Sequence, residues 1–162
     1  MDKGKIRYLV MDVDGTLTDG KIYMGPEGEL CKAFHVRDGL GIRELAVREG
    51  ILPVILTGRR SDILRCRCRE LGIELVFQGA EHKEETLGLI TDRLWQIAYI
   101  GDDINDLAAM KLVKKAGGLT GCPADAVRAV RETADYVSDR GGGEGAVRDF
   151  IEWILEKNGE DL

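Results

Sequence analysis

Short apolar runs alternate with helix-patterned stretches along almost the whole chain, and that alternation leaves few folds open. Residues 6–11, 51–56, 74–77 and 96–100 read as strands, being largely apolar and bounded by turn residues. Between them the periodicity predicts helices. One covers 39–49, capped by Asp38, with Ile42, Leu45 and Ala46 facing inward. A second covers 62–71, with Leu64, Cys68 and Leu71 on one stripe and Gly72 as its stop; a third covers 83–94. The pattern continues with a helix over 106–115 capped by Asn105, a short strand near 118–120, a helix over 124–132 and a short strand at 136–137. A final helix carries Val147, Phe150, Ile151, Ile154 and Leu155, and 157–162 reads as a polar tail. Strands separated by helices pair in parallel and need cover on both faces. The expected fold is therefore α/β, a three-layer, doubly wound, Rossmann-like parallel sheet. At 162 residues it fits a single domain, residues 1–162. One stretch breaks the alternation. Residues 20–24 and 30–36 flank the turn 25–28 and predict a β-hairpin insertion at about 20–36.

The net charge of −6, from 23 basic and 29 acidic side chains, argues against a nucleic-acid partner. An apolar run of transmembrane length and a signal-peptide pattern are both missing, so no membrane partner is expected and the expected location is cytoplasmic. Cys31, Cys66, Cys68 and Cys122 are expected to be reduced thiols, mostly packing residues. Cys66 and Cys68, two apart on a helix, project about 200° from one another and make no helical zinc pair.

The chemistry concentrates where strands end. Asp12-Val13-Asp14-Gly15-Thr16 directly follows the first strand, and open α/β sheets place their sites at such ends. Clustered acids are costly to bury unless a cation neutralises them, and hard oxygen donors suit Mg²⁺. A carboxylate can attack phosphorus, and Asp12 suits that role. Asp14 can protonate the departing alcohol and then deprotonate water. Thr57 and Gly58, after the second strand, can donate to phosphate oxygens; alone, Thr57 also fits an ST-turn or a cap. Lys83, after the third strand, can neutralise the transferring group, although a lone Lys is usually solvated. Asp102 and Asp103 end the fourth strand and can complete a metal site, with Asn105 and Asp106 close behind.

Together these stretches resemble the four motifs of the haloacid dehalogenase superfamily. The resemblance implies a HAD-like fold and Mg²⁺ held by Asp12, the Asp14 backbone carbonyl and Asp102, with Asp103, Asn105 and Asp106 in support. The second acid of the first motif favours phosphatase over dehalogenase chemistry. The spacing from Asp14 to Thr57 admits a hairpin and one helix but no helical cap, which is similar to the capless branch. Within it the chain resembles the 3-deoxy-D-manno-octulosonate 8-phosphate phosphatases, on Leu17-Thr18-Asp19-Gly20, Phe34-His35-Val36-Arg37-Asp38-Gly39, Thr57-Gly58-Arg59, Arg67-Cys68, Gln78-Gly79 and the segment 141–148. This implies a phosphorylated sugar acid as substrate and a homotetramer built on the hairpins, a neighbour covering each site. It also implies substrate contacts from His35, Val36, Arg37, Asp38, Gly39, Arg43, Arg59 and Arg67. Arginine forks suit a substrate carrying a carboxylate as well as a phosphate.

Other readings stay open at this point. The segment 121–126 leans towards phosphatases of nine-carbon sialic-type sugar 9-phosphates. His82 stands before Lys83 where many superfamily members carry an acid, and it reads as an ordinary exposed residue. A signalling receiver domain also joins acids, a Thr and a Lys on a parallel sheet, but its phospho-accepting Asp ends the third strand, where this chain has Phe77-Gln78-Gly79. A non-catalytic oligomerisation module is the remaining alternative.

Overall fold

Strand β1 (Tyr8–Met11) is the axis of the molecule. It pairs in parallel with β4 (Leu52–Thr57) on one side and β6 (Ile97–Ile100) on the other, Met11 lying level with both Ile55 and Ile100. The computed structural model, which describes residues 5–159, extends this core to a six-stranded parallel sheet of order β5-β4-β1-β6-β7-β8. Here β5 is Leu75–Gln78, β7 is Leu119–Cys122 and β8 is Tyr136–Val137. Chain order reverses at β1, so the strand ends beside it border a crevice open to ligands.

The two-residue period of the strands divides the core. Leu9, Met11, Ile55 and Ile100 face one way, onto the helices α2 (Asp62–Leu71) and α6 (Ala146–Lys157), through Leu64, Cys68, Val147, Phe150 and Ile154. Val10, Val54, Leu56 and Tyr99 face the other way, onto α3 (Lys83–Ile90), α4 (Leu107–Ala116) and α5 (Arg128–Thr133), through Leu87, Met110, Val113 and Val130. Burial on both faces explains why these strands read as continuous apolar runs. The three-layer, doubly wound expectation holds. No helix among the described residues is long and apolar enough to cross a membrane.

Several boundaries differ from the expectation. The helix expected over 39–49 begins earlier, as α1 (Val36–Leu40), with His35 as its cap, and continues as a π-helical turn, Gly41–Ala46. Asp38 lies inside α1, because its carboxylate is engaged elsewhere. Its Oδ1 accepts from the Arg148 amide at 2.8 Å, in the first turn of α6. Gly145 opens α6 without a side-chain cap, so Asp38 does that work from a distant segment. Helix α3 stops at Ile90 because Thr91 turns to an extended conformation and its hydroxyl accepts from the Arg93 amide. A 3-10 turn, Ile104–Asp106, precedes α4, and its cap is Asp103 rather than Asn105. The expected helix over 124–132 shortens to α5. The hairpin strands are also short: β2 (Tyr23–Gly25) and β3 (Gly28–Cys31) pair antiparallel with an irregular register and form a sheet of their own. Of the expected polar tail, residues 160–162 lie outside the described residues. All four cysteines are free; Cys68 and Cys122 are buried packing residues, whereas Cys31 and Cys66 are exposed.

Candidate active site

Immediately after β1 the chain wraps over one carbonyl. The amides of Thr16, Leu17 and Thr18 all donate to Val13 O, at 3.1, 2.9 and 3.1 Å. The turn requires a positive φ at Gly15 (93°), and a Cβ there would sit 2.0 Å from Asp102 Oδ2. This wrap brings Asp12, at the end of β1, beside Asp102, just past the end of β6. Thr16 Oγ1 donates to Asp102 Oδ1 at 3.0 Å and fixes that carboxylate.

Lys83 occupies the centre of the site with no solvent exposure at all. Its ammonium lies 2.8 Å from Asp12 Oδ1 and 2.7 Å from Asp106 Oδ1. Burial opposes its charge, but the two carboxylates outweigh burial and hold its pKa above the usual lysine value. Asp106 accepts from Lys83, from Tyr99 OH at 2.7 Å, and from the amides of Asp102 and Asp103 at 3.0 and 3.2 Å. With both oxygens so occupied, Asp106 is an anchor for Lys83. Burial, then the charges of Asp106 and Asp12, pushes the Tyr99 hydroxyl well above its ordinary value.

Asp12, Asp102 and Asp106 each offer a carboxylate oxygen within 4.8 Å of the others. Burial, then the charge of Asp106, pushes Asp12 up to about 6 despite Lys83. Burial, then the charges of Asp12 and Asp106, pushes Asp102 up to about 8. Two carboxylates driven towards protonation by each other and by burial form the donor set that a hard divalent cation neutralises. Asp106 has spent its lone pairs, so the oxygens that suit such a cation belong to Asp12 and Asp102. The Asp14 carboxylate does not join them. It points at the hairpin, where Lys32 Nζ contacts Oδ1, and Arg59 Nε lies 3.8 Å from Oδ2.

Thr57 is buried at the end of β4, two residues beyond Ile55, the register partner of Met11. Gly58 follows, facing Asn105, whose side-chain nitrogen is 4.0 Å from where a Cβ would be. Asp103 is exposed and accepts from the Ile104 amide at 2.7 Å.

The expected substrate contacts are scattered. Arg59 reaches the site through Asp14 and Glu29. Val36 and Arg37 are exposed, and Arg43 pairs with Glu44 at 3.1 Å on the surface. Arg67 pairs with Glu70 at 3.0 Å and stacks over Phe34, its guanidinium carbon 5.5 Å from the ring centre. His35 is half-buried and spends Nδ1 on the Arg37 amide. Two of the expected contacts are buried in this structure. Asp38 is 1% exposed and caps α6, and Gly39 is buried against Arg67 because a Cβ there would meet its guanidinium. His82, as expected, is exposed, 3.8 Å from Glu84.

Sequence reasoning missed Tyr99, Lys32 and Glu29, and it found the glycine loop at 141–145 only as part of the family resemblance, without its contact to the first motif. Tyr99 reads as a core aromatic in its strand, and Lys32 as an exposed cation on a hairpin. The loop is a physical support for the site. Gly143 N donates to Thr16 O at 3.1 Å, and a Cβ on Gly142 would fall 1.9 Å from Gly15 O.

No family model matches the chain. The 3-deoxy-D-manno-octulosonate 8-phosphate phosphatase KdsC of Salmonella typhi is 42% identical over 159 residues, covering 96% of this chain and 82% of that protein. The chain belongs to this phosphatase family, within the haloacid dehalogenase superfamily. Its Yersinia pestis member is 44% identical over 154 residues, 93% of this chain and 80% of that one. Solved members of the phosphatase family superpose closely. The cobalt-bound Haemophilus influenzae enzyme gives a TM-score of 0.87 at 39% identity, covering 98% of this chain and 92% of that one. The Moraxella catarrhalis enzyme, solved with magnesium, phosphate and a KDO molecule, gives 0.85 at 38% identity, covering 95% and 88%. A hydrolase of the same superfamily from Legionella pneumophila gives 0.83 at 34%, covering 97% and 86%.

Proposed function

We propose that this chain is a Mg²⁺-dependent phosphoric monoester hydrolase that converts 3-deoxy-D-manno-octulosonate 8-phosphate to the free sugar acid and phosphate. The observation that carries the reading is the buried Asp12–Lys83–Asp106 arrangement beside Asp102, in a chain related along nearly its whole length to phosphatases of that ester.

The roles follow from the chemistry each group can do. An oxygen of Asp12 attacks phosphorus, the bond to the sugar oxygen breaks, and Asp14 gives its proton to that oxygen as the alcohol leaves. Asp14, now a carboxylate, removes a proton from water, which attacks the acyl phosphate and frees phosphate and Asp12. Lys83 opposes the negative charge that gathers around the transferring group, and the Thr57 hydroxyl with the Gly58 amide receives its oxygens. Asp12, Asp102 and the Asp14 backbone carbonyl would hold Mg²⁺, which lowers the repulsion between the attacking carboxylate and the phosphate dianion. Asp103, Asn105 and Asp106 support these residues, and Arg59 recognises the carboxylate-bearing part of the substrate.

The same reading takes the chain as a single domain acting as a cytoplasmic homotetramer. Support for assembly comes from the hairpin, where Met24 is 59% and Leu30 66% exposed, beside exposed Ile22 and Tyr23. Four free thiols suit a reducing compartment. Rates on 3-deoxy-D-manno-octulosonate 8-phosphate and on nine-carbon 9-phosphates, for the native protein and Arg59→Ala, test the substrate. Native kcat/KM should be highest on the eight-carbon ester, and Arg59→Ala should raise KM for it while changing a small aryl phosphate much less. A clear preference for the nine-carbon esters would transfer the reading to the 9-phosphatases.

A further inference from the structure

Lys32 follows the hairpin strand β3, where Cys31 and Ala33 on either side are exposed, yet its side chain is only 3% exposed. A lysine is rarely buried unless paired. This one contacts Asp14 Oδ1 and lies 2.9 Å from Glu29 Oε1.

The contacts continue into the body of the fold. Glu29 Oε2 accepts from the Ser61 hydroxyl. Ser61 is the cap of α2, its Oγ accepting from the Leu64 amide at 3.3 Å, and its own amide donates to Gln78 Oε1 at 2.6 Å. Ser61, Glu29, Lys32 and Asp14 thus form a chain of contacts running from a helix cap and the end of β5 to one carboxylate. Arg59 flanks it, 3.8 Å from Asp14 and 3.9 Å from Glu29. A solvated surface pair would not hold a side chain in one place, because exposure leaves it free to exchange partners. Here the Asp14 side chain is 17% exposed and meets a nearly buried ammonium.

We infer that Lys32 is a positioning residue for Asp14, and that the hairpin is therefore part of the catalytic apparatus of its own protomer. The inference rests on the reading of Asp14 as general acid and base. A general acid works only within hydrogen-bond reach of the oxygen it protonates, and small displacements are costly in rate. Through Lys32, the hairpin fixes the place of the Asp14 carboxyl group, which in its protonated form gives a proton to the departing alkoxide and, as the carboxylate left behind, regains one from water. The bond that breaks is phosphorus to ester oxygen, and the proton moves from Asp14 to that oxygen.

The leaving group tells positioning from other roles. An alkyl oxygen needs the proton to depart, whereas p-nitrophenolate leaves without one. Lys32→Met should therefore lower kcat/KM on ribose 5-phosphate and on 3-deoxy-D-manno-octulosonate 8-phosphate by ~10- to 100-fold. It should change kcat/KM on p-nitrophenyl phosphate by less than about threefold, and Lys32→Arg should recover part of the alkyl rate. Glu29→Gln, which keeps the ammonium but breaks the link to Ser61, should show the same alkyl-selective loss to a smaller degree, and it serves if Lys32→Met does not fold. Equal losses on every substrate would make Lys32 a structural residue only. A loss confined to the sugar acid would make it a carboxylate receptor, and no loss would make the pair idle; each outcome overturns the inference. The ribose and aryl esters remain informative if the sugar acid is not the substrate, so failure of that reading is seen separately.

Discussion

Asp12 and Lys83 form an ion pair of 2.8 Å that is sealed from solvent, Lys83 with no exposure and Asp12 with 5%. Such a pair is held by its geometry, since loss of either partner strands a charge in the interior. Asp12→Asn should therefore do two things. Removing the attacking oxygen charge should cut turnover by several orders of magnitude, at about 1.4 kcal/mol of barrier per decade. Because Lys83 keeps Asp106, the variant should still fold, as circular dichroism would show. A folded variant with appreciable native turnover would remove Asp12 from the mechanism.

Stability without metal should fall as pH rises. Asp12 and Asp102 start from a value of 3.8 in the unfolded chain and are raised to about 6 and about 8 in the fold. Between about pH 4 and pH 8 the folded protein binds more protons than the unfolded one, so unfolding free energy declines across that window. A divalent cation competes with those protons. The rise in melting temperature on adding Mg²⁺ should be small near pH 5 and large near pH 8. Melting curves with and without chelator across this range check it, and a metal effect that shrinks with pH would contradict the assigned donors.

Leu30→Glu places a charge on the most exposed large apolar side chain of the strands β2 and β3. If hairpins pack together in an assembly, light scattering should show smaller species for the variant than for the native protein, and rates on the sugar-acid ester should fall with the loss of a neighbour's cover. Lys32 and Glu29 are untouched, so the aryl phosphate rate should persist. A native protein that is monomeric at assay concentration would end the proposal of a subunit-supplied lid.

Gly142→Ala tests the support beneath the catalytic loop. Its Cβ would be driven against backbone, 1.9 Å from Gly15 O and 2.7 Å from Thr18 O, which no side-chain rotation can relieve. We expect a loss of about 2 kcal/mol or more in denaturant unfolding, from backbone displacement in a packed region, together with a lowered kcat. Unchanged kcat and stability would mean that the loop at 141–145 moves freely.

Local chemistry and period are legible in the sequence; contacts between distant segments are not. The run before Asp12 reads as a buried strand, and the acids, Thr57 and Lys83 each stand at or shortly after a strand end, so their convergence follows from parallel order. Asp38 misled because the best local use of an acid before a helix is to cap that helix, whereas its partner is the Arg148 amide, 110 positions away. Lys32 carried no signal, since a lysine on a hairpin looks the same whether it meets water or a carboxylate. The π-helical turn at Gly41–Ala46 and the irregular register of the hairpin likewise arise from packing that periodicity does not encode.

The contact between Gly15 and Gly142 also sets an order in time. Residues 12–19 leave the ribosome early, and the glycine loop that closes beneath them is among the last segments made. A nascent chain that stops before the loop already holds Asp12, Lys83, Asp102 and Asp106, but the turn carrying Asp14, though tied to Val13 O and Asp102, still lacks the Gly143 bond to Thr16 O and the packing of Gly142 beneath it. Hydrolysis should thus begin only when synthesis is nearly complete, so that incomplete chains stay silent and enzymatic activity reports a finished fold.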